Sequence, residues 1–522
     1  MLTLETIFTS HMVLQANKPI KIFGRGEGEG KITFLDKEYS FYGMGDKWCI
    51  SIEAQPYGGP YTLTLESEGE KITLDDIYIG EVWFAGGQSN MEMPLFKVDN
   101  GLEYAKENPL IRFFRVPKQF KKNTPTYGSH FIKTKDFDTP WVVCDEYNAS
   151  LASAVGYTVV RELQERLGCA VGLIECNWGA RKIEPFIDKK YFYEYDFLRP
   201  QIEDYNKELA ELDKEAYDKE IAEVLKGREQ AYKRHGDDYA EVKKKGVGGA
   251  VWVVDGTMPE LTHGPYQLDK PGALYDSMVE KLTPYGMQGV LWYQGESNDT
   301  QDYAKKFLVF TRCFREAFEN KDLTFYATEL APFEYDGRDD ELVTEPNNWG
   351  FKREQQMLAS EVGRGSYLVT TQHIGDMFDI HPMRKIELGR RMALKVLKYS
   401  YGFDILADQP TYKRATFEKN KVTIELNNAQ GLYSKHMWVF KIYVADKNGN
   451  MERAEPEIID EKIVLKIKME APVLVRFAFQ MHYNGMAPFN EAGLPLSPFR
   501  TDGYEDLKAE LISFAKEMEG EK

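Results

Sequence analysis

The sequence predicts an α/β domain with a parallel sheet, flanked by an N-terminal and a C-terminal β domain and interrupted by a charged helical insertion. Three observations predict it. Residues 1–78 alternate polar and apolar side chains between glycine-rich turns, short apolar strands alternate with amphipathic helices from 79 onward, and period-two alternation returns beyond 402. At 522 residues the chain is also longer than one core serves. The expected divisions are an N-terminal β domain, 1–78; one α/β domain in two parts, 79–195 and 249–401; the insertion, 196–248; a second β domain, 402–503; and a terminal helix, 504–522.

In the first segment Ile20 to Phe23, Lys31 to Phe34, Trp48 to Ile52 and Tyr61 to Leu65 read as strands of a small sandwich. Gly24-Arg25-Gly26 and Gly58-Gly59-Pro60 read as turns between them. Val82 to Ala85 form a buried strand that Gly86-Gly87 end. Phe96 to Trp141 is a long irregular stretch, read as a wall facing substrate. Ser153 to Leu167 places Val155, Val159, Leu163 and Leu167 on one helical face, and Ala170 to Cys176 is the next strand. In the insertion Ile202, Tyr205, Leu209, Leu212 and Ala216 recur at helical steps, which favours a packed amphipathic hairpin. The alternative is a coiled-coil arm that would make a homo-oligomer, but too few heptads are present to favour it. Gly289 to Tyr293, Thr324 to Leu330 and Ser366 to Thr371 resume the sheet. Pro382 is expected to open a helix burying Ile386, Met392, Val396 and Leu397. Lys421 to Leu426, Val439 to Val444, Ile463 to Ile467 and Val473 to Phe479 form the second β domain, and Tyr504 to Met518 a final amphipathic helix.

A formal charge of −17 repels nucleic acid and anionic membranes, so neither is an expected partner. The five cysteines are odd in number and scattered through apolar runs, as buried free thiols are. The histidines lack ligand spacing, so neither a metal nor another cofactor is expected. The opening MLTLETIFTSHMVLQ has no basic stretch followed by an apolar one, and no run of about 18 apolar residues occurs. A soluble, cytoplasmic protein is the expectation, although a chain trimmed of its leader would begin the same way.

Four strand ends in the α/β region carry small polar clusters, and ligands of open parallel sheets bind beyond the carboxyl ends of strands. The clusters are Gly87-Gln88-Ser89-Asn90, Asn177-Trp178-Gly179-Ala180-Arg181, Gln294-Gly295-Glu296-Ser297-Asn298, and the loop Asp376 to His381. Ser89 reads as a candidate nucleophile, although this segment by itself favours a polar turn capping a helix near Met91. Met91 stands where a nucleophile elbow needs its second glycine, so an α/β-hydrolase is excluded. His381, before Pro382, reads as a general base kept neutral by a helix N-terminus. Asp379 and Glu296 both qualify as the carboxylate that orients it, with a surface acid or a loop-holding acid as the alternative role. Backbone N–H groups of Ser89 and Gly179 and the Gln294 amide suit an oxyanion. Asn90, Trp178, Arg181 and Asn298 are the expected substrate contacts. Trp178, Trp292 and Tyr293 read as sugar-stacking rings or as core.

GGQSNM at 86–91, NWG at 177–179, LWYQGESN at 291–298 and DIHP at 379–382, in this order, resemble the sialate O-acetylesterase family of the SGNH-hydrolase superfamily. HMVLQ at 11–15 and GLPLSPFRTD at 493–502 resemble that family's flanking β regions. The resemblance implies an SGNH-like, flavodoxin-like three-layer α/β/α domain that removes acetyl esters from sugars. It implies Ser89 as nucleophile, His381 as base, and Gly179 and Gln294 in the oxyanion hole. Ala180 and Arg181 depart from the glycine and the Thr or Ser that the family often has there. Phe378 stands where the superfamily has its acid, which leaves Asp379 and Glu296 as alternatives. The expected partner is an acetylated sugar, sialic acid or a plant polysaccharide fragment of xylan, mannan or xyloglucan. A non-catalytic carbohydrate-binding protein is the rival reading.

Overall fold

The computed structural model describes residues 1–118, 140–244, 259–333, 349–435, 440–481 and 486–520. Contacts divide the chain into two compact units, Met1–Ser297 with Val309–Phe325, and Asn298–Leu308 with Tyr326–Lys522. Residues 119–139 of the stretch Phe96 to Trp141, the end of the insertion at 245–248, and Val439 lie outside the described residues. The earlier part of that stretch is not irregular as expected but holds the short helix Gly101–Tyr104 and the strand Asn108–Arg115, which pairs parallel with Val171–Asn177.

The first unit is built on a mixed sheet. Its strands are β1 (Thr3–Leu4), β2 (Val13–Gln15), β3 (Ile20–Phe34), β4 (Lys37–Ile52), β5 (Gly58–Ser67), β6 (Glu70–Gly87), β7 (Asn108–Arg115), β8 (Val142–Cys144), β9 (Val171–Asn177) and β10 (Gly289–Tyr293). The order β1-β3-β5-β6-β10 forms its spine, with β4 on β3, β2 and β9 on β6, β7 on β9 and β8 on β7. The expected glycine turns lie inside strands. Gly24 and Gly26 sit at a bulge where the β3–β4 register slips. A Cβ on Gly24 would stand 1.8 Å from the Thr3 carbonyl oxygen, so glycine serves close passage of β1 here and not a reversal. Gly58-Gly59-Pro60 likewise falls within β5 at a register shift.

β6 is the element that orders this unit. Its first half pairs antiparallel with β5, from Ser67↔Glu70 to Gly58↔Ile79. Its second half pairs parallel with β9, from Glu81↔Val171 to Gly87↔Asn177, and with β10, from Gly289↔Trp83 to Tyr293↔Gly87. The strand runs unbroken across residues 78 and 79, where composition shifts. Residues 80–87 are all buried, as expected of a parallel strand covered on both faces. Phe84 meets Phe314 edge-on at 5.4 Å, and Trp292 of β10 packs between Phe186 and Phe310.

The helix Ala154–Leu167 forms as expected and buries Val155, Val159 and Leu163. Ser153 caps it by accepting from the Gly156 N–H at 3.1 Å, and left-handed Gly168 ends it. The Ser153 hydroxyl also donates to the Met91 carbonyl at 2.5 Å, and its N–H donates to Glu175. One buried serine therefore joins this helix to the turn after β6 and to β9.

In the insertion, the helices Arg199–Glu211 and Lys214–Lys244 are joined by Leu212-Asp213. Ile202 and Tyr205 are buried as expected, whereas Ala216 is exposed and Tyr217 and Ile221 take its place inward. Helical phase resets at the break between the two helices, which the continuous spacing did not reveal. Tyr217 donates to the His263 carbonyl at 3.0 Å and Glu208 pairs with Lys270 at 2.5 Å, so both helices pack on the chain itself.

The second unit holds β12 (Ser366–Val369), which follows β11 (Thr324–Thr328) in sequence, and the helices Trp349–Val362, Lys385–Tyr401 and Tyr504–Glu519. The rest is β13 (Thr411–Glu418), β14 (Lys421–Asn427), β15 (Ile442–Asp446), β16 (Met451–Arg453), β17 (Glu455–Ile459), β18 (Lys462–Lys466), β19 (Pro472–Phe477) and β20 (Phe499–Arg500). These form two four-stranded sheets, β13-β14-β18-β17 and β16-β15-β19-β20, around a shared core that includes Ile424, Phe440, Val475, Phe477 and Phe499. Arg500 holds Glu354 bidentately at 2.9 Å, fixing β20 to the helix Trp349–Val362.

Ser153→Ala removes a helix cap and a buried donor together. We expect it to lower unfolding free energy by about 1–3 kcal/mol in urea melts, with Thr158→Ala on the same helix costing less.

Candidate active site

Gly87 ends β6 at φ +137°, and a Cβ there would lie 2.0 Å from the Tyr293 carbonyl oxygen. Because Gly87 is level with both Asn177 and Tyr293, three loops leave adjacent parallel strands at one height. The ladder continues one residue further: Gln88 N–H donates to Tyr293 at 3.1 Å and Trp178 N–H to Gly87 at 3.0 Å. Ser89 then opens a single helical turn, Ser89–Glu92, and is 6% exposed.

The structure adds two charged residues that the sequence reading missed. Glu92, at the end of that turn, accepts the Gly179 N–H on Oε2 at 3.1 Å and the Lys118 ammonium on Oε1. Both side chains are buried, and Lys118 Nζ lies 5.1 Å over the Trp178 ring. Glu92 stands three residues after Ser89 in QSNME, the spacing that brings an acid round one turn; nothing in the sequence flags Lys118.

The expected oxyanion donors hold loops in this state. Gly179 N–H is engaged by Glu92, and the Gln294 amide donates to the Arg181 carbonyl at 3.1 Å and to Gln88 Oε1 at 3.4 Å. Asn90, fully buried, donates to Glu296 Oε1 at 2.5 Å, so Glu296 ties the β10 loop to the β6 loop. Trp178 is 1% exposed and belongs to the core of this face, as do Trp292 and Tyr293. Arg181 is buried too: its guanidinium pairs with Glu260 at 2.8 Å and Asp269 at 3.0 Å, and its Nε donates to the Gly179 carbonyl. Ala180 between them is left-handed, φ +58°, a conformation a glycine takes at no steric cost.

His381, Asp379 and Asn298 belong to the second unit. Asn298 is buried. The loop from 376 is shaped by side-chain turns: Asp376 accepts the Phe378 N–H at 2.8 Å and Asp379 the His381 N–H at 2.7 Å. Asp379 Oδ1 lies 3.8 Å from His381 Nδ1. Pro382 does not open the following helix, which begins at Lys385 after an uncapped Arg384. The helix dipole is therefore not what keeps His381 neutral. Burial first and the fully buried Lys385 second lower its pKa to about 4, against the opposing charge of Asp379.

No helix among the described residues is long and apolar enough to cross a membrane. Residues 253–398 match the family model described as carbohydrate esterase, sialic acid-specific acetylesterase. Rat sialate O-acetylesterase is 20% identical over 72% of this chain and 67% of its own length, and the human protein 22% identical over 56% and 46%. A carbohydrate acetylesterase from Xanthomonas citri, known from its crystal structure, aligns with TM-score 0.73 and 25% identity over 96% of this chain and all of its own. Its strand-end motifs agree with these matches: residues 253–398 fit a sialic acid-specific acetylesterase domain, and the chain is similar to sialate O-acetylesterases and to a carbohydrate acetylesterase of known structure.

Proposed function

We propose that the protein removes O-acetyl groups from carbohydrates through an acetyl-enzyme on Ser89, using an SGNH-like three-layer α/β/α domain. The observation that carries this reading is the level register of β9, β6 and β10, which gathers Ser89, Gly179 and Gln294 at the carboxyl edge of one sheet. Ser89 Oγ attacks the ester carbonyl while His381 takes its proton. The tetrahedral intermediate collapses, the sugar alcohol leaves with that proton, and water, deprotonated by His381, releases acetate and restores Ser89. A base with pKa near 4 is neutral throughout the neutral range and can accept the proton. The oxyanion is assigned to the N–H groups of Ser89 and Gly179 and to the Gln294 amide, which requires the last two to exchange their resting partners for substrate.

For the orienting acid the reading takes Asp379, whose Oδ1 lies 3.8 Å from His381 Nδ1, with Glu296, which accepts from Asn90, as the alternative. Asn90 and Asn298 are assigned to the substrate. Arg181 is left to the fold, because two carboxylates already occupy its guanidinium. The sugar is an acetylated monosaccharide or oligosaccharide. Sialic acid and plant polysaccharide fragments are the two classes to be separated by a panel of O-acetylated sialic acid, xylan, mannan and xyloglucan fragments.

Ser89→Ala and His381→Ala are each expected to reduce acetate release by a factor on the order of 1,000 or more with the melting temperature unchanged. Wild-type turnover in either folded variant would exclude the mechanism, and a non-catalytic sugar-binding protein would hydrolyse no aryl acetate at all. Asp379→Asn should lower kcat more than Glu296→Gln, by about tenfold or more; the reverse order assigns the role to Glu296. Protonation removes the base, so kcat/KM should fall on the acid side of neutrality. Burial of His381 should place that limb near pH 4 and not at the ordinary histidine value of 6.5, measured by initial rates in overlapping buffers.

A further inference from the structure

The long insertion helix Lys214–Lys244 reaches the β9 loop through a buried chain of charges. Arg228, midway along it and 3% exposed, donates from Nε to the Pro259 carbonyl at 2.7 Å and lies 3.4 Å from Glu260 Oε1. Glu260 in turn accepts both oxygens' worth of hydrogen bonds from Arg181, at 2.9 and 2.8 Å. Arg181 ties back to the Gly179 carbonyl at 3.0 Å, and its own carbonyl accepts from Gln294 at 3.1 Å. Arg228 also stands 6.0 Å over the Trp178 ring, on the residue before Gly179. A single carboxylate is thus shared by two buried guanidiniums, one on the insertion and one on the turn that holds left-handed Ala180. A strained alanine persists only where its surroundings fix it, and this network is what surrounds it.

We propose that Arg228, acting through Glu260 and Arg181, is a positioning residue that holds the Gly179–Arg181 turn in register with Ser89, so that the insertion sets the geometry of the oxyanion donors. This rests on the deacetylation reading for its catalytic consequence, and on the geometry alone for its mechanical one. The cluster balances its charges, two buried arginines against the partly exposed Glu260 and Asp269, so removing one member leaves its buried guanidinium side unbalanced.

The test compares wild type, Arg228→Met, Arg228→Lys, Glu260→Gln and the Arg228→Met/Glu260→Gln pair on 4-nitrophenyl acetate, with hydrogen exchange of a peptide covering residues 177–183. Arg228→Met should lower kcat at least fivefold with KM within twofold, and speed exchange of that peptide at least fivefold while exchange in β3 and β4 is unchanged. Arg228→Lys should recover part of both, and the double variant should be no worse than the more damaged single one. Unchanged kcat and unchanged exchange in folded Arg228→Met overturn the proposal, as do fully additive losses in the pair. If wild type releases no acetate but the exchange result holds, the deacetylation reading fails and the clamp stands. If Arg228→Met does not fold, Glu260→Gln is judged by the same two readouts.

Discussion

Hydrogen bonding pairs Gly87 of β6 with Asn177 of β9 on one side and with Tyr293 of β10 on the other, and everything at the edge of the first unit follows from that register. A slip by one residue would turn each strand's side chains to the opposite face and set the three loops at different heights. The glycine is required because Tyr293 leaves no room for a Cβ beside it. Ser153 then fixes the turn carrying Ser89 from the other side, through the Met91 carbonyl. The backbone around Ser89 is thus held by a strand on one flank and a capped helix on the other.

Charge burial is unusually dense behind these loops. Glu92 with Lys118 is buried, and the buried Arg181 guanidinium pairs with the partly exposed Glu260 and Asp269, beside the turns that carry Ser89 and Gly179. Buried pairs of this kind add little net stability, since desolvation offsets much of the attraction. Their effect is geometric: each fixes a backbone N–H or carbonyl of the Gly179 turn, on which an oxyanion donor depends. The same economy appears at the other loops, where Gln88, Gln294, Asn90 and Glu296 hold one another.

Electrostatics of the His381 loop come from a different source than its sequence suggests. Proline after histidine usually signals a helix start, but the helix begins three residues after Pro382, and burial together with Lys385 takes over the work of the dipole. Asp379 Oδ1 lies 3.8 Å from the ring nitrogen Nδ1 of His381, and Glu296 accepts from Asn90.

Alternation of apolar runs recovered β6, β9, β10, the helix at Ser153 to Leu167 and half of the strands of the C-terminal region, because period and burial are local properties of the chain, but it missed β7, which pairs with β9 inside the stretch read as irregular. Strand-end position likewise singled out Ser89, Gly179 and Gln294, since polar residues after a buried strand have few other places to be. Glycine was misread: at Gly24 and Gly58 it answers to a neighbouring strand's approach, which no local pattern records. The partners of Arg181, Glu92 and Lys118 were illegible for the same reason, being set by residues 26 to 88 positions away. The sequence by itself determined which residues sit at strand ends and which family they resemble. Only the tertiary structure decided which of those polar groups hold the loops, because hydrogen bonds and ion pairs depend on distances that chain spacing does not set.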